Sequence, residues 1–221
     1  MLCEEGSGDE VGVVSVVSGM LWGTFQMLGR KTAVQDVIAW IDVETTGLNP
    51  WEGDSLLEVA CLVTDTDLNF LDEEGFEAYV PHTYQDMKTV RRNASQFVRE
   101  MHEKNGLWDK LVLGDGEVDG FPLAELDARL LEYVRGFAPE ARTARVGGNS
   151  VRLDLNFLEK YLPETYGHLH YRFIDVTSVS SLVYWWGGVP KFEKRGNHTA
   201  MSDIRESIDE LRYMREQGFR H

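Results

Sequence analysis

Four carboxylates and one imidazole, spread over three segments, are the residues of this chain whose types and spacing could do chemistry together. Asp42 and Glu44 close the apolar run Val37-Ile-Ala-Trp-Ile41. Residues two apart on a strand point to one face, so these two carboxylates converge. Like charges at a strand end repel unless a proton or a cation sits between them, which is a physical reason to expect a metal. Asp-x-Glu is weak evidence by itself, since it recurs at Asp72/Glu74 and Asp115/Glu117, where a solvated acidic loop is the simpler reading. The first pair differs because a buried strand delivers it. Thr45-Thr46-Gly47-Leu48 then breaks that strand, and Gly47 permits a tight turn.

Asp154 follows in Gly148-Asn-Ser-Val-Arg-Leu-Asp154, one turn after Ser150 and next to the apolar helix face Val151, Leu155 and Leu158. On that segment alone a surface aspartate is as good a reading as a ligand. His198 and Asp203 stand five residues apart at a loop-to-helix junction, behind Lys191, Lys194, Arg195 and Gly196. Both can face one cleft, and the loop makes His198 accessible. Oxygen ligands of this kind suit two divalent cations, with Mg²⁺ and Mn²⁺ favoured. A histidine beside them suits a general base near neutral pH.

These groups need a scaffold, and apolar periodicity outlines one from Asp36 onward. Val37–Ile41 reads as a buried central strand. Leu56–Thr64 and Phe76–Val80 read as further strands around a turn at Asp65–Asn69. Helical spacing marks Ala94–Lys104 and Pro122–Gly136, the latter with the face Leu123, Leu126, Leu130, Leu131 and Val134. A short strand at Ala144–Val146 is expected to stop at Gly147-Gly148. A helix over Val151 to about Tyr161, a strand at Phe173–Asp175, a helix over about Val176 to Trp186 and a last helix over about Thr199 to Glu216 follow. Antiparallel strands first, then strand–helix alternation, predict an α/β single domain with a mixed sheet flanked by helices.

The chain has 221 residues, of which 43% are hydrophobic and 27% charged, enough for one packed domain and unlike a disordered chain. Its net charge of −15 argues against coating long nucleic acid through a broad basic face. It leaves room for a short substrate and a metal site, both governed by local charge. Two cysteines, Cys3 and Cys61, are too few for a disulfide framework, so a reducing cytoplasm is the default. Residues 1–35 form a separate N-terminal extension, expected to be poorly ordered, ahead of a domain over 36–221. Val11–Gly29 is uncharged and must be weighed as a membrane span. Ser15, Ser18, Gly19, Gly23, Thr24 and Gln26 dilute it, and no basic segment precedes it as in a signal peptide, so no membrane association is expected. A translation start at Met20 or Met27 is an alternative.

In order and spacing, Asp42-x-Glu44, Asp154 and His198-x4-Asp203 resemble the DEDDh 3′→5′ exonucleases, and within them the oligoribonuclease family. The matching stretches are Trp40-Ile-Asp-Val-Glu-Thr-Thr-Gly-Leu48, Leu57–Asp65, Gly148-Asn-Ser-Val151, His170-Tyr-Arg-Phe-Ile-Asp-Val176 and Gly196-Asn-His with Asp203-Ile-Arg-Glu-Ser207. Departures include Thr45 in place of the family's methionine and Phe97 in place of tryptophan. The resemblance implies a ribonuclease H-like fold and a two-metal hydrolysis of very short RNA, dinucleotides above all, to 5′-mononucleotides. Asp42, Glu44, Asp154 and Asp203 would hold the metals and His198 would deprotonate the attacking water. Leu48 would wedge between bases, while Phe97 and His102 would contact or stack on them. Ser150, Arg172 and Thr177 would cap the 5′ phosphate, and Tyr171 would reach across a homodimer. Two other readings stand beside this one: a DNA 3′→5′ exonuclease of proofreading type, and an inactive relative that binds nucleotides or a partner. Trp185 and Trp186 read as core or dimer-contact aromatics; His82, His168 and His221 carry no spacing signal.

Overall fold

A computed structural model describes residues 36–112, 120–194, 196 and 199–219. Five strands form one mixed sheet: β1 (Val37–Thr45), β2 (Leu56–Asp65), β3 (Phe76–Tyr79), β4 (Ala144–Gly148) and β5 (Phe173–Asp175), in the spatial order β3-β2-β1-β4-β5. The β2–β1 and β3–β2 pairs are antiparallel, and β4 joins β1 and β5 in parallel. Eight α-helices accompany the sheet among the described residues: α1 (Tyr84–Asn93), α2 (Gln96–Lys104), α3 (Leu107–Lys110), α4 (Leu123–Phe137), α5 (Arg152–Tyr161), α6 (Pro163–His168), α7 (Val176–Gly187) and α8 (Ala200–Gly218).

Alternation along β1 sorts the two layers. Val37, Ala39, Ile41 and Val43 pack with Leu126, Leu130 and Val134 of α4 and with Leu155 and Leu158 of α5. Ile38 and Trp40 face the other way, onto Ala60 and Leu62 of β2 and onto Ala200, Ile204 and Ile208 of α8. The strand is central and buried on both faces, so its apolar run is continuous rather than alternating. Asp42 and Glu44 have the parity of Ile38 and Trp40, which turns them toward the α8 layer. Gly147 permits close packing beneath Trp40, since a Cβ there would lie 2.8 Å from Ile38 Cγ2 and 2.9 Å from Trp40 Cε3.

The expected strands and long helices are present, with instructive differences. β1 runs on through both carboxylates to Thr45 because β2 continues to pair with it, up to an irregularity between Glu44 and Thr45. β4 extends across Gly147 and Gly148, since backbone ladders on both sides hold them whatever their propensity. Helices α1, α3 and α6 were not anticipated. α1 is mostly polar and, among its described side chains, buries only Met87 deeply, so its apolar period is faint. Its Thr83 cap on the Asp86 N–H was the readable signal. Trp185 and Trp186 are exposed on α7, which removes the core reading for them. His168 is buried, its Nε2 2.8 Å from the Ala138 carbonyl. Asp72 accepts from the Glu74 and Gly75 amides and from the Tyr133 hydroxyl, so that Asp-x-Glu pair is a turn. Asp115 and Glu117, and the extension over residues 1–35, lie outside the described residues. No helix among the described residues is long and apolar enough to cross a membrane.

Candidate active site

Asp42, Glu44 and Asp203 come together at the end of β1, each offering a carboxylate oxygen within 4.8 Å of the others. β1 supplies the first two on one face. α8 supplies the third from its first turn, after Thr199 caps the helix by accepting the Ser202 N–H. Asp154 reaches the same place from α5. The β1–β4 ladder ends at Trp40↔Gly147, so beyond it that edge of β1 is open. The buried Asp154 carboxylate fills the gap by accepting the Val43 N–H at 3.1 Å. This backbone bond resolves the open reading of Asp154: it is buried at the site and not a surface residue.

The electrostatics are those of crowded acids taken out of water. Burial, then Asp154, Glu44, Asp203 and Glu58, holds the Asp42 carboxyl well above the ordinary carboxylate range. Burial, then Glu58, Asp203 and Asp154, pushes Glu44 up to about 9. Asp154 rises to about 7 through burial, opposed by its bond to Val43. Such a group keeps its protons at neutral pH or exchanges them for a cation. The donors are all hard carboxylate oxygens, which fits a divalent metal.

Glu58 is the acid that the sequence reading passed over. It faces Glu44 directly in the β1–β2 register and is 2% exposed. A lone acid inside the apolar run Leu56–Thr64 was the available signal.

The remaining candidates divide. Leu48 and Phe97 are 75% and 74% exposed, free to meet a ligand. Leu48 rides on a rigid turn: Asp54 accepts from the Asn49 N–H at 2.9 Å, and the Ser55 N–H bonds Thr46 Oγ1 at 2.8 Å. His102 corrects the expectation that it meets bases. It is fully buried, with Nε2 3.1 Å from the Thr45 carbonyl and its ring edge-on to Trp108 at 5.2 Å. The carbonyl acceptor calls for a proton on Nε2. Burial lowers the imidazole's pKa, so a neutral ring packs behind Glu44, 3.9 Å from its Oε2. Ser150 takes a left-handed φ of 53° and bonds through its N–H to Thr177 Oγ1 at 3.0 Å and to Asp175 Oδ1 at 3.2 Å.

Arg172 does not join that pair within the chain. The parallel register Val146↔Phe173 to Gly148↔Asp175 sets Ser150 level with Thr177 and leaves Arg172 at the other end of β5. There its guanidinium lies 5.3 Å from the ring of Tyr171, which stacks on His170 at 4.5 Å. His198 lies outside the described residues.

Comparison with known proteins agrees with this geometry. The profile of the RNase_T family, described as "Exonuclease", matches residues 39–211. The chain is 41% identical to the oligoribonuclease of Leifsonia xyli over 83% of this chain and 84% of that one. It is 42% identical to the oligoribonuclease of Streptomyces coelicolor over 84% and 88%. Among solved structures, product-bound exonuclease I superposes with a TM-score of 0.59 at 17% identity, covering 83% of this chain and 44% of that one. E. coli exonuclease I in complex with a dT13 oligonucleotide gives 0.57 at 17% identity, covering 83% and 42%. The chain thus spans under half the length of these solved structures, and at that identity they establish the shared ribonuclease H-like fold. A carboxylate cluster built by β1 and α8 with Asp154 of α5 bonded beside it, a profile match across most of the chain and relatives above 40% identity together mean that this chain belongs to the oligoribonuclease family of exonucleases.

Proposed function

We propose that the protein is a 3′→5′ exoribonuclease that degrades very short single-stranded RNA, dinucleotides above all, to 5′-mononucleotides. The observation that carries this reading is the convergence of Asp42, Glu44 and Asp203 with Asp154 bonded beside them, in a chain of this family. The four carboxylates would hold two divalent cations, Mg²⁺ or Mn²⁺. Such a pair, when bound, stabilises charge on the attacking and leaving oxygens of the phosphodiester. His198 would accept the proton of the attacking water, and Asp154 keeps its position through the Val43 N–H. Leu48 and Phe97 would pack on the bases, since stacking on exposed apolar side chains serves single strands of any sequence. Ser150 and Thr177 would meet the 5′ phosphate.

We infer a homodimer in which Tyr171 and Arg172 serve the partner's site. Both residues sit at the far end of β5 from Ser150 and Thr177, and a planar guanidinium is suited to bidentate phosphate binding. The exposed Trp185 and Trp186 of α7 suit a contact between copies. The cytoplasm is the compartment this reading expects, in keeping with a buried free thiol at Cys61.

The test is turnover of 5′-phosphorylated RNA from two to about seven nucleotides, with DNA controls, with and without EDTA. Fast, EDTA-sensitive loss of dinucleotides supports the reading. Equal turnover of DNA would favour a DNA exonuclease, and no turnover would favour a nucleotide-binding relative.

A further inference from the structure

The turn between β4 and α5 is held from two sides. On one side the Ser150 N–H bonds Thr177 Oγ1 and Asp175 Oδ1, both from the start of α7. On the other side Asn149 donates through Nδ2 to Glu210 Oε2 at 2.9 Å. Glu210 lies seven residues after Asp203 on α8 and is buried. The same carboxylate oxygen takes the Lys194 ammonium at 3.3 Å. A carboxylate only accepts, so the NH₂ of the Asn149 amide must face it. Oδ1 of Asn149 is left buried, without a hydrogen-bond partner among the described residues.

Stability alone is a poor reason for this arrangement. A buried carboxylate and a half-satisfied amide cost desolvation free energy that apolar side chains of similar size would not. What the bond secures is a strained turn. Ser150 has a left-handed φ of 53°, a conformation that a non-glycine residue keeps only where its surroundings over-determine it. Asn149, Thr177, Lys194 and Glu210 line one cavity of about 400 Å³, so Glu210 stands close to where the 5′ phosphate would bind. A bare carboxylate there would repel that phosphate, and Lys194 balances its charge.

We propose that Glu210 is a positioning residue that, through the Asn149 amide, holds the Ser150 turn in the conformation that receives the substrate's 5′ phosphate, a role that rests on the function proposed above for Ser150 and Thr177. Asp154 is held separately by the Val43 N–H. The effect of Glu210 therefore falls on substrate binding and not on the chemical step.

The full-length protein is compared with Glu210→Ala, Glu210→Gln, Asn149→Ala and the double variant Asn149→Ala/Glu210→Ala. The measurements are kcat and KM on a dinucleotide with and without its 5′ phosphate, and amide exchange at Ser150. Glu210→Ala raises KM for the phosphorylated dinucleotide about tenfold, the scale of one hydrogen bond to a charged group. Its kcat, and its KM for the unphosphorylated dinucleotide, stay within about twofold, while the Ser150 amide exchanges faster. Glutamine still accepts from Asn149, so Glu210→Gln keeps the phosphate preference within about threefold. Asn149→Ala matches Glu210→Ala, and the double variant is no worse than either. An unchanged KM in Glu210→Ala overturns the proposal, and so does an equal rise on both dinucleotides or a glutamine variant as impaired as alanine. A lower KM for the phosphorylated dinucleotide in both Glu210 variants also overturns it, because Glu210 would then act only as a charge beside the phosphate. Should Glu210→Ala fail to fold, Asn149→Ala decides, since an unchanged phosphate preference there overturns the proposal. If the unaltered chain cleaves neither dinucleotide, or both alike, the function proposed for Ser150 fails, and Ser150 exchange still decides whether Glu210 holds the turn.

Discussion

Glu44→Gln should stabilise the metal-free protein at neutral pH while abolishing its metal-dependent activity. Burial and the surrounding acids raise the folded-state carboxyl from an ordinary 4.5 to about 9. The folded chain therefore keeps a proton that the unfolded chain releases. Stability is greatest below about 4.5 and declines as pH rises through the window up to about 9. One such group costs about 1.4 kcal/mol per pH unit, so by pH 7 Glu44 has cost about 3 kcal/mol. For a domain of this size that is roughly 6–12 °C in Tm. Glutamine removes the titration and keeps the volume. The assay is calorimetric and urea unfolding of EDTA-treated, desalted protein at pH 5 and pH 7. Reading the difference between the two pH values cancels any packing penalty of the amide. Saturating Mg²⁺ should reverse the order, because it stabilises the chain that binds it. A variant no more stable than the parent at pH 7, or one with the same gain at both pH values, would refute the reasoning.

Further outcomes follow from the same geometry. Asp154→Asn, which can still accept the Val43 N–H, should fold normally by circular dichroism and lose EDTA-sensitive cleavage; retained cleavage would remove Asp154 from the site. Mixing Arg172→Ala subunits with Asp154→Asn subunits should restore dinucleotide turnover, because one mixed site then has both groups; no restoration in steady-state assays would show that Arg172 acts within its own chain. Phe97→Ala should raise KM about fivefold or more, from stacking worth about 1–3 kcal/mol per base, and an unchanged KM in the same assay would count against base contact. Asp127→Ala should destabilise the fold by about 3 kcal/mol in urea titrations, because Asp127 is buried and accepts from the Glu164 and Thr165 amides, both at 2.9 Å, and from the Thr165 hydroxyl at 2.7 Å.

What the amino-acid sequence determined by itself was local. The apolar run before Asp42 made a strand, its period of two aimed Asp42 and Glu44 to one side, and the last helix was marked over about Thr199 to Glu216. Order and spacing were enough to recognise the family. Period and propensity act over a few residues, which is why these features survived. The tertiary structure decided everything that depends on two distant segments meeting. The β1–β2 register set Glu58 beside Glu44. The open edge of β1 drew Asp154 onto the Val43 N–H. Packing of α2 and α3 buried His102 against Thr45 and Trp108, although the family resemblance implied that it meets bases. The parallel ladder of β4 and β5 separated Arg172 from Ser150 and Thr177. Each of these is a matter of register or of packing between elements, and the free energy that selects it comes from contacts between residues far apart in the chain.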